Sequence, residues 1–362
     1  MRENATVIFW DSHYLAAKEG FINHNYNAER LVTLNEKLEG AVFMGMEALP
    51  LKKALNDIKG KIIIAAALSV TFNKLIKLLL DMGACKDDIV FTFNAPGFIN
   101  IVSDTSYLNE LSTVAPGVIN YSLSENGDIV CETCGGRLLA SSYDELFIVK
   151  EIFYYMCYDF TTPHKSITVL DIGMNIGTAS IFFASKEGVN RVYGFEPFPA
   201  TFERAMENFA FNGLPEDKVF PHLFGAGKEN GTIEADYDGC RKGHMSTSGK
   251  NESFPGSEKV TVEIVDIAEI FTAVINRHPE DRYVFKIDCE GGEYDILERL
   301  DETGLLKKVH ILILEWHKFG DRDVTHLERV LERNGFIYHV TGSRHDSGGM
   351  LFAVEADNEL KL

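Results

Sequence analysis

The chain has 362 residues, more than one domain usually holds, so two domains and a sizeable core are expected. A formal net charge of −19 and a sequence pI near 5.0 exclude an electrostatic nucleic-acid footprint and attraction to anionic lipid surfaces. Six cysteines are too few for a disulfide framework, the first twenty residues hold only a short apolar run, and no segment approaches the ~20 apolar residues of a membrane span; a reduced, cytoplasmic protein acting on small molecules or glycans is expected.

From the N-terminus, Thr6 to Trp10 and Ala41 to Gly45 read as short strands. Pro50 starts a helical pattern through Leu51, Leu55 and Ile58 that Gly60 ends, and Ile62 to Leu68 is an uninterrupted apolar strand. Leu75, Ile76, Leu79 and Leu80 recur at helical spacing up to Gly83, and Ile89 to Phe93 begins another strand. This alternation predicts a small α/β domain over residues 1–100. Starting at its FWDS strand, it resembles the truncated Rossmann-like domain that precedes sugar-modifying enzymes in some bacterial polysaccharide pathways. No glycine-rich turn follows its strands, so a structural or docking role is expected, toward a second copy or a pathway partner, rather than a nucleotide site.

Residues 101–144 read as a connector. Within it, Asn126-Gly127 between two alternating runs predicts a hairpin over Val118 to Thr133, since Asn-Gly supplies the positive φ angles of a tight turn. Cys131 and Cys134 have the spacing of half a zinc site, but no second pair follows, and no metal site is assigned. Tyr143 to Tyr158 follows as an amphipathic helix.

Residues 145–362 form the second expected domain, in which strands at 167–172, 191–196, 218–224, 260–265, 283–288, 309–315, 335–340 and 349–355 alternate with helical patterns near 175–186, 199–212, 291–300 and 324–334. The last two strands follow each other directly and should pair antiparallel. The expected fold is therefore α/β, a mostly parallel seven-stranded sheet with an antiparallel C-terminal hairpin, as in Class I, Rossmann-like methyltransferases, plus the smaller N-terminal domain. Residues 228–259, rich in Gly, Ser, Lys and Glu, read as a solvated loop.

The chemistry concentrates at strand ends. Ser166 to Gly177, SITVLDIGMNIG, is a buried strand breaking into a tight turn, where Gly173, Asn175 and Gly177 expose backbone N–H groups at a helix N-terminus and Asp171 supplies a carboxylate. That pair suits a zwitterionic ligand. Twenty-three residues after Gly173, Glu196, followed by Pro197, ends the strand RVYGFE, where a carboxylate accepts hydrogen bonds from two ribose hydroxyls. NAD and S-adenosylmethionine both carry that ribose. The register decides: a dinucleotide fingerprint needs GxGxxG, and positions 175 and 178 are Asn and Thr.

The segments VLDIGMNIGTAS, YGFEPFPATFERAMENFAFNG, FKIDCEGGEYDILERL and ILILEWH resemble, in order and spacing, the FkbM family of S-adenosylmethionine-dependent methyltransferases over about residues 145–355. The resemblance implies methyl transfer to a hydroxyl oxygen, often of a sugar or polyketide. Met174 and Cys289 depart from the usual pattern, where a small residue and a branched aliphatic are commoner; neither removes a charged or hydrogen-bonding group.

Asp288, at the carboxyl end of an apolar strand, stands where open α/β sheets bind ligands, and with Glu290 it can steady an acceptor hydroxyl, take its proton or bind a divalent ion. Glu290 and Glu293 equally suit the first turn of the following helix as plain caps. Glu315 emerges at the same edge, with His317 just beyond it as a base or as a loop histidine without a role. The expected activity is an S-adenosylmethionine-dependent O-methyltransferase acting on a hydroxyl of a sugar, glycan precursor or related small molecule. The alternatives are an NAD(P)-dependent oxidoreductase on a similar sheet and a non-enzymatic scaffold.

Overall fold

The computed structural model describes residues 2–9, 12–54, 60–65, 72–85, 88–92, 98–100, 115, 117–124, 128–140, 143–237, 258–343 and 345–356. Contacts divide the chain into two units, one of Met1–Glu132 with Leu139–Lys150, the other of Thr133–Leu138 with Glu151–Glu252 and Glu258–Leu362.

In the first unit, the apolar run of Glu3–Phe9 places its last five residues in the core and pairs in parallel with Tyr26–Thr33 on one side and Lys61–Ala65 on the other. The sheet has seven strands, running in order Val42–Phe43, Met46–Pro50, Tyr26–Thr33, Glu3–Phe9, Lys61–Ala65, Ile89–Thr92, Phe98–Asn100. The helix Ser12–Asn25 and the strand Tyr26–Thr33 escape a periodicity reading, because only the last three residues of that strand are buried and its first half is polar. The strand expected over Ala41 to Gly45 is half of a hairpin: Met44 and Gly45, both with positive φ, turn Val42–Phe43 onto Met46–Pro50. Pro50 closes that strand and Leu51 opens the helix. Residues 55–59 and 66–68, with Leu55, Ile58 and Leu68, lie outside the described residues. The hairpin within the connector pairs Asn120–Leu123 with Ile129–Thr133, while its Asn126-Gly127 turn lies outside them.

The second unit is built on a sheet in the order Val219–His222, Val189–Phe195, Ile167–Ile172, Arg282–Ile287, Val309–His317, Gly348–Glu355, Phe336–Val340. The first five strands are parallel; Gly348–Glu355 runs antiparallel between the two strands it joins. Every residue of Ile167–Ile172 is buried, as a strand covered on both faces requires. The chain leaves this strand for Val189–Phe195 on one side and reaches Arg282–Ile287 on the other, so the order reverses there and a crevice opens at the carboxyl ends.

Helix ends follow local chemistry. Thr178–Ser185 starts after Gly177 and is buried from Thr178 to Phe183, an all-round apolar helix suited to a sandwiched layer. Pro199 opens Pro199–Asn212 and Gly213, with φ 59°, ends it. Two expectations change here. The strand expected at 260–265 runs Glu258–Asp266 and belongs to a separate three-stranded sheet with Gly225–Gly227 and Gly231–Tyr237, so the expected loop at 228–259 begins and ends in strands; its residues 238–257 lie outside the described ones. The helix Ile267–Arg277, capped by Asp266 accepting the Ala268 N–H at 2.8 Å, was not expected because its apolar residues continue those of the strand without a break.

Candidate active site

All the site residues belong to the second unit. The turn after Ile172 requires left-handed backbone: Gly173, Asn175 and Gly177 have φ of 79°, 53° and 83°. At Gly173 the missing side chain decides the packing, since a Cβ there would stand 1.8 Å from the carbonyl oxygen of Asp288. Gly173 therefore brings the glycine turn directly against the end of strand Arg282–Ile287. Met174 is explained by a second glycine: its buried side chain fills the space above Gly194, where a Cβ would meet its Sδ at 2.3 Å.

The N–H groups expected to face a ligand are engaged within the protein. Those of Gly173 and Met174 donate to Phe195 O at 3.1 and 2.9 Å, that of Gly177 to Met174 O at 3.0 Å, and that of Ile176 to Asn175 Oδ1 at 2.7 Å. Asn175 N–H donates to Glu196 Oε2 at 3.0 Å, while Glu196 Oε1 accepts the Phe198 N–H at 2.9 Å, so Glu196 locks the turn to the segment starting at Pro197. Each carboxylate oxygen keeps a further lone pair for a ribose hydroxyl. Burial pushes the Glu196 carboxyl up to about 7, against the pull of those two N–H groups.

Asp171 is fully buried, and the ammonium that meets it is internal. Lys286, directly opposite in the register of the neighbouring strand, brings Nζ to 3.2 Å from Asp171 Oδ1 and donates to Gly173 O at 2.6 Å; Asp171 Oδ2 accepts from Ser180 Oγ at 2.6 Å. Burial raises the Asp171 carboxyl and the ammonium pulls it back, while Asp171 and Asp288 hold Lys286 charged despite its burial. Asp171 therefore acts on the turn through Lys286. Two buried side-chain oxygens beside the turn, Asp171 Oδ1 and Thr178 Oγ1, lack a hydrogen bond among the described residues. Asp171 Oδ1 is met by the Lys286 ammonium, whereas an unpaired buried hydroxyl such as that of Thr178 is costly, and a polar group bound at the turn would supply its missing partner. On this observation the residues fit the methionine end of S-adenosylmethionine.

The structure brings Asp288, Glu290, Glu315 and His317 together. Asp288 Oδ2 accepts from the Tyr158 hydroxyl at 2.8 Å and lies 3.7 Å from Lys286 Nζ; Glu315 Oε2 lies 3.4 Å from the same hydroxyl. His317 Nε2 is 3.5 Å from Glu290 Oε2 and 3.8 Å from Glu315 Oε1. Burial disfavours the imidazolium, yet the hydrogen bond that Glu293 accepts and the surrounding carboxylates push His317 up to about 10. Both ring nitrogens therefore face carboxylates, Nδ1 toward Glu293 and Nε2 toward Glu290 and Glu315. Burial and Asp288 raise Glu315 to about 7. Asp288, Glu290 and His317 also place one ligand atom each within 4.8 Å of one another, a spacing that suits a metal ion. A cavity of about 740 Å³ lined by Lys228, Asn230, Gly292, Asp295 and Arg299 touches none of these side chains.

Two contributors, Lys286 and Tyr158, have no site role in the sequence reading. Lys286 has a signal, a charge inside a strand buried on both faces, which demands a partner. Tyr158 has none beyond closing an expected helix. Glu293 reads either as a carboxylate of the strand-end cluster or as a cap.

Comparison with known proteins shows what the chain is similar to. The methyltransferase FkbM domain family matches residues 171–338. Methyltransferase sdnD of Sordaria araneosa is 26% identical over 224 residues, covering 54% of this chain and 83% of that protein. Hexuronic acid methyltransferase AglP of Haloferax volcanii is 30% identical over 159 residues, 43% of this chain and 59% of that protein. The crystal structure of methyltransferase FkbM from Methylobacillus flagellatus KT is 14% identical with a TM-score of 0.40, covering 97% of this chain and 91% of that one. None of these three is an oxidoreductase. Residues 171–338, from the buried Asp171 past the cluster around His317, are a methyltransferase FkbM domain.

Proposed function

We propose that this chain is an S-adenosylmethionine-dependent O-methyltransferase acting on a hydroxyl of a sugar, glycan precursor or related small molecule, with residues 145–362 as its catalytic domain. The observation that carries the reading is the contact at Gly173, where the glycine turn and the strand end bearing Asp288 touch because no Cβ separates them. A cofactor held at the turn then has its reactive end beside the carboxylate cluster.

In this reading Glu196 accepts the ribose hydroxyls, the Thr178 hydroxyl meets the methionine end beside the turn that Gly173, Asn175 and Gly177 shape, and Pro197 shapes the turn that Glu196 holds. S-adenosylmethionine supplies an electrophilic methyl group when bound. Asp288 and Glu315 sit at the mouth to orient the acceptor hydroxyl and receive its proton, while Tyr158 fixes Asp288 and the ring of His317 draws Glu290 and Glu315 toward its Nε2. Alignment of donor and acceptor provides most of the acceleration, roughly 7–11 kcal/mol of barrier for a well-held pair. Proton acceptance adds about 10²–10⁴-fold.

Calorimetry and thermal shift test the cofactor. S-adenosylhomocysteine should stabilise the protein and NAD(P) should not, and Glu196→Ala should weaken the former with the fold retained; the reverse ligand preference sinks the proposal in favour of an oxidoreductase. Mass spectrometry of a nucleotide-sugar panel incubated with enzyme and S-adenosylmethionine should reveal a product heavier by one methyl replacing one hydrogen.

A further inference from the structure

Glu293 has no exposed surface, and its carboxylate is fully committed. Oε2 accepts the Gly291 N–H at 2.7 Å, Oε1 accepts the backbone N–H of His317 at 2.7 Å, and the same Oε1 lies 3.3 Å from His317 Nδ1. The next residue, Tyr294, donates its hydroxyl to the carbonyl oxygen of His317 at 2.8 Å. The first turn of helix Glu293–Glu302 thus holds the N–H, the carbonyl and one ring nitrogen of a single histidine. A plain helix cap would bond to its own helix, and it would not reach across to the end of Val309–His317.

We infer that Glu293 is a positioning residue for methyl transfer: it fixes the ring of His317 with a hydrogen on Nδ1, so that Nε2 is delivered to Glu290 and Glu315 at the mouth of the site. This rests on the proposed methyltransferase reading. An imidazole is free to rotate about its last side-chain bond unless one nitrogen is held, and a buried carboxylate behind Nδ1 both keeps a hydrogen on that nitrogen and sets the ring plane. The Gly291 contact extends the same grip to the turn that carries Glu290, whose φ of 54° places it in left-handed backbone. One carboxylate therefore registers two strand ends against each other and, through them, Glu290, Glu315 and His317.

The test uses the full chain and two readouts. Glu293→Gln keeps the volume but offers one acceptor oxygen to N–H groups that now occupy two, and its amide faces a donor on the other side. Turnover should fall roughly 10–100-fold, the range for losing a residue that orients a site histidine, with the KM for S-adenosylmethionine unchanged. In a His317→Gln background the same substitution should cost several-fold less than in the parent, because the part of its effect that passes through that ring is already lost. A full multiplicative loss in that background, or unchanged turnover in the folded single variant, overturns the assignment. The second readout needs no turnover and no Glu293 variant: ¹⁵N NMR of the unsubstituted protein, with His317→Gln to assign the signal, should show a hydrogen-bonded Nδ1–H, and a bare Nδ1 overturns it. Failure of the methyl-transfer reading would appear as absent product with this Nδ1–H intact, so the two failures are distinct.

Discussion

Removing the ammonium of Lys286 should destabilise the second unit more than any surface change of equal size. Lys286 is 2% exposed and Asp171 is 0% exposed, with Nζ 3.2 Å from Oδ1 and 2.6 Å from Gly173 O. In Lys286→Met the side chain still fills the strand, but Asp171 keeps only the Ser180 hydroxyl and Gly173 loses its donor. Breaking one side of a buried pair costs about 3–5 kcal/mol, and most of that is the stranded charge. Adding Asp171→Asn removes the charge, so the double variant should recover about half of the loss or more. Urea denaturation at pH 8, followed by near-UV circular dichroism, measures both. A stranded buried carboxylate has a raised folded pKa, so its neutral form favours folding: the Lys286→Met deficit should shrink as pH falls toward the ordinary carboxyl range of about 4. A single-variant loss below about 1 kcal/mol, or a double variant as unstable as the single, refutes the assignment of the pair as the element that holds the turn.

Glu196 makes a similar pH statement. Its folded pKa of about 7, raised by burial from 4.5, means that its favourable contribution is present below the unfolded value and lost as pH rises to neutrality, roughly 3 kcal/mol in all. Glu196→Gln should flatten that slope between pH 5 and 8 in thermal melts, and S-adenosylhomocysteine affinity, which in the parent strengthens as Glu196 ionises, should become insensitive to pH by calorimetry. Gly173→Ala forces a Cβ to 1.8 Å from Asp288 O at a φ of 79° and should cost roughly 2–6 kcal/mol from strain and overpacking, whereas Gly231→Ala, with nothing within 4 Å, should leave the melting temperature within a degree or two. Tyr158→Phe deletes the donor to Asp288 and should cost about 1.5–3 kcal/mol in stability, with turnover falling and cofactor affinity unchanged.

Sequence alone determined the features that depend on neighbours along the chain. The apolar run of Ile167–Ile172, the glycines after it and Pro199 at a helix start are local consequences of backbone sterics and alternation, and they placed the turn, Glu196 and Asp288 at strand ends. It also placed Glu315 and His317 at the same edge, because a parallel sheet presents all its carboxyl ends on one side.

The partners of those groups were decided only by tertiary structure. Asp171 reads in the sequence as a free carboxylate for a ligand, and becomes the counter-ion of Lys286 because the two strands pair in a register that sets them opposite. His317 reads as a base or a loop histidine, and nothing local shows that Glu293 and Glu290, from another strand end, close around its two nitrogens. The turn at Gly173 reads as a row of open N–H groups, yet Phe195 and Glu196 occupy them. Charge state and hydrogen-bond occupancy are set by groups distant in sequence, brought within a few ångströms by strand order and register, which no local pattern encodes.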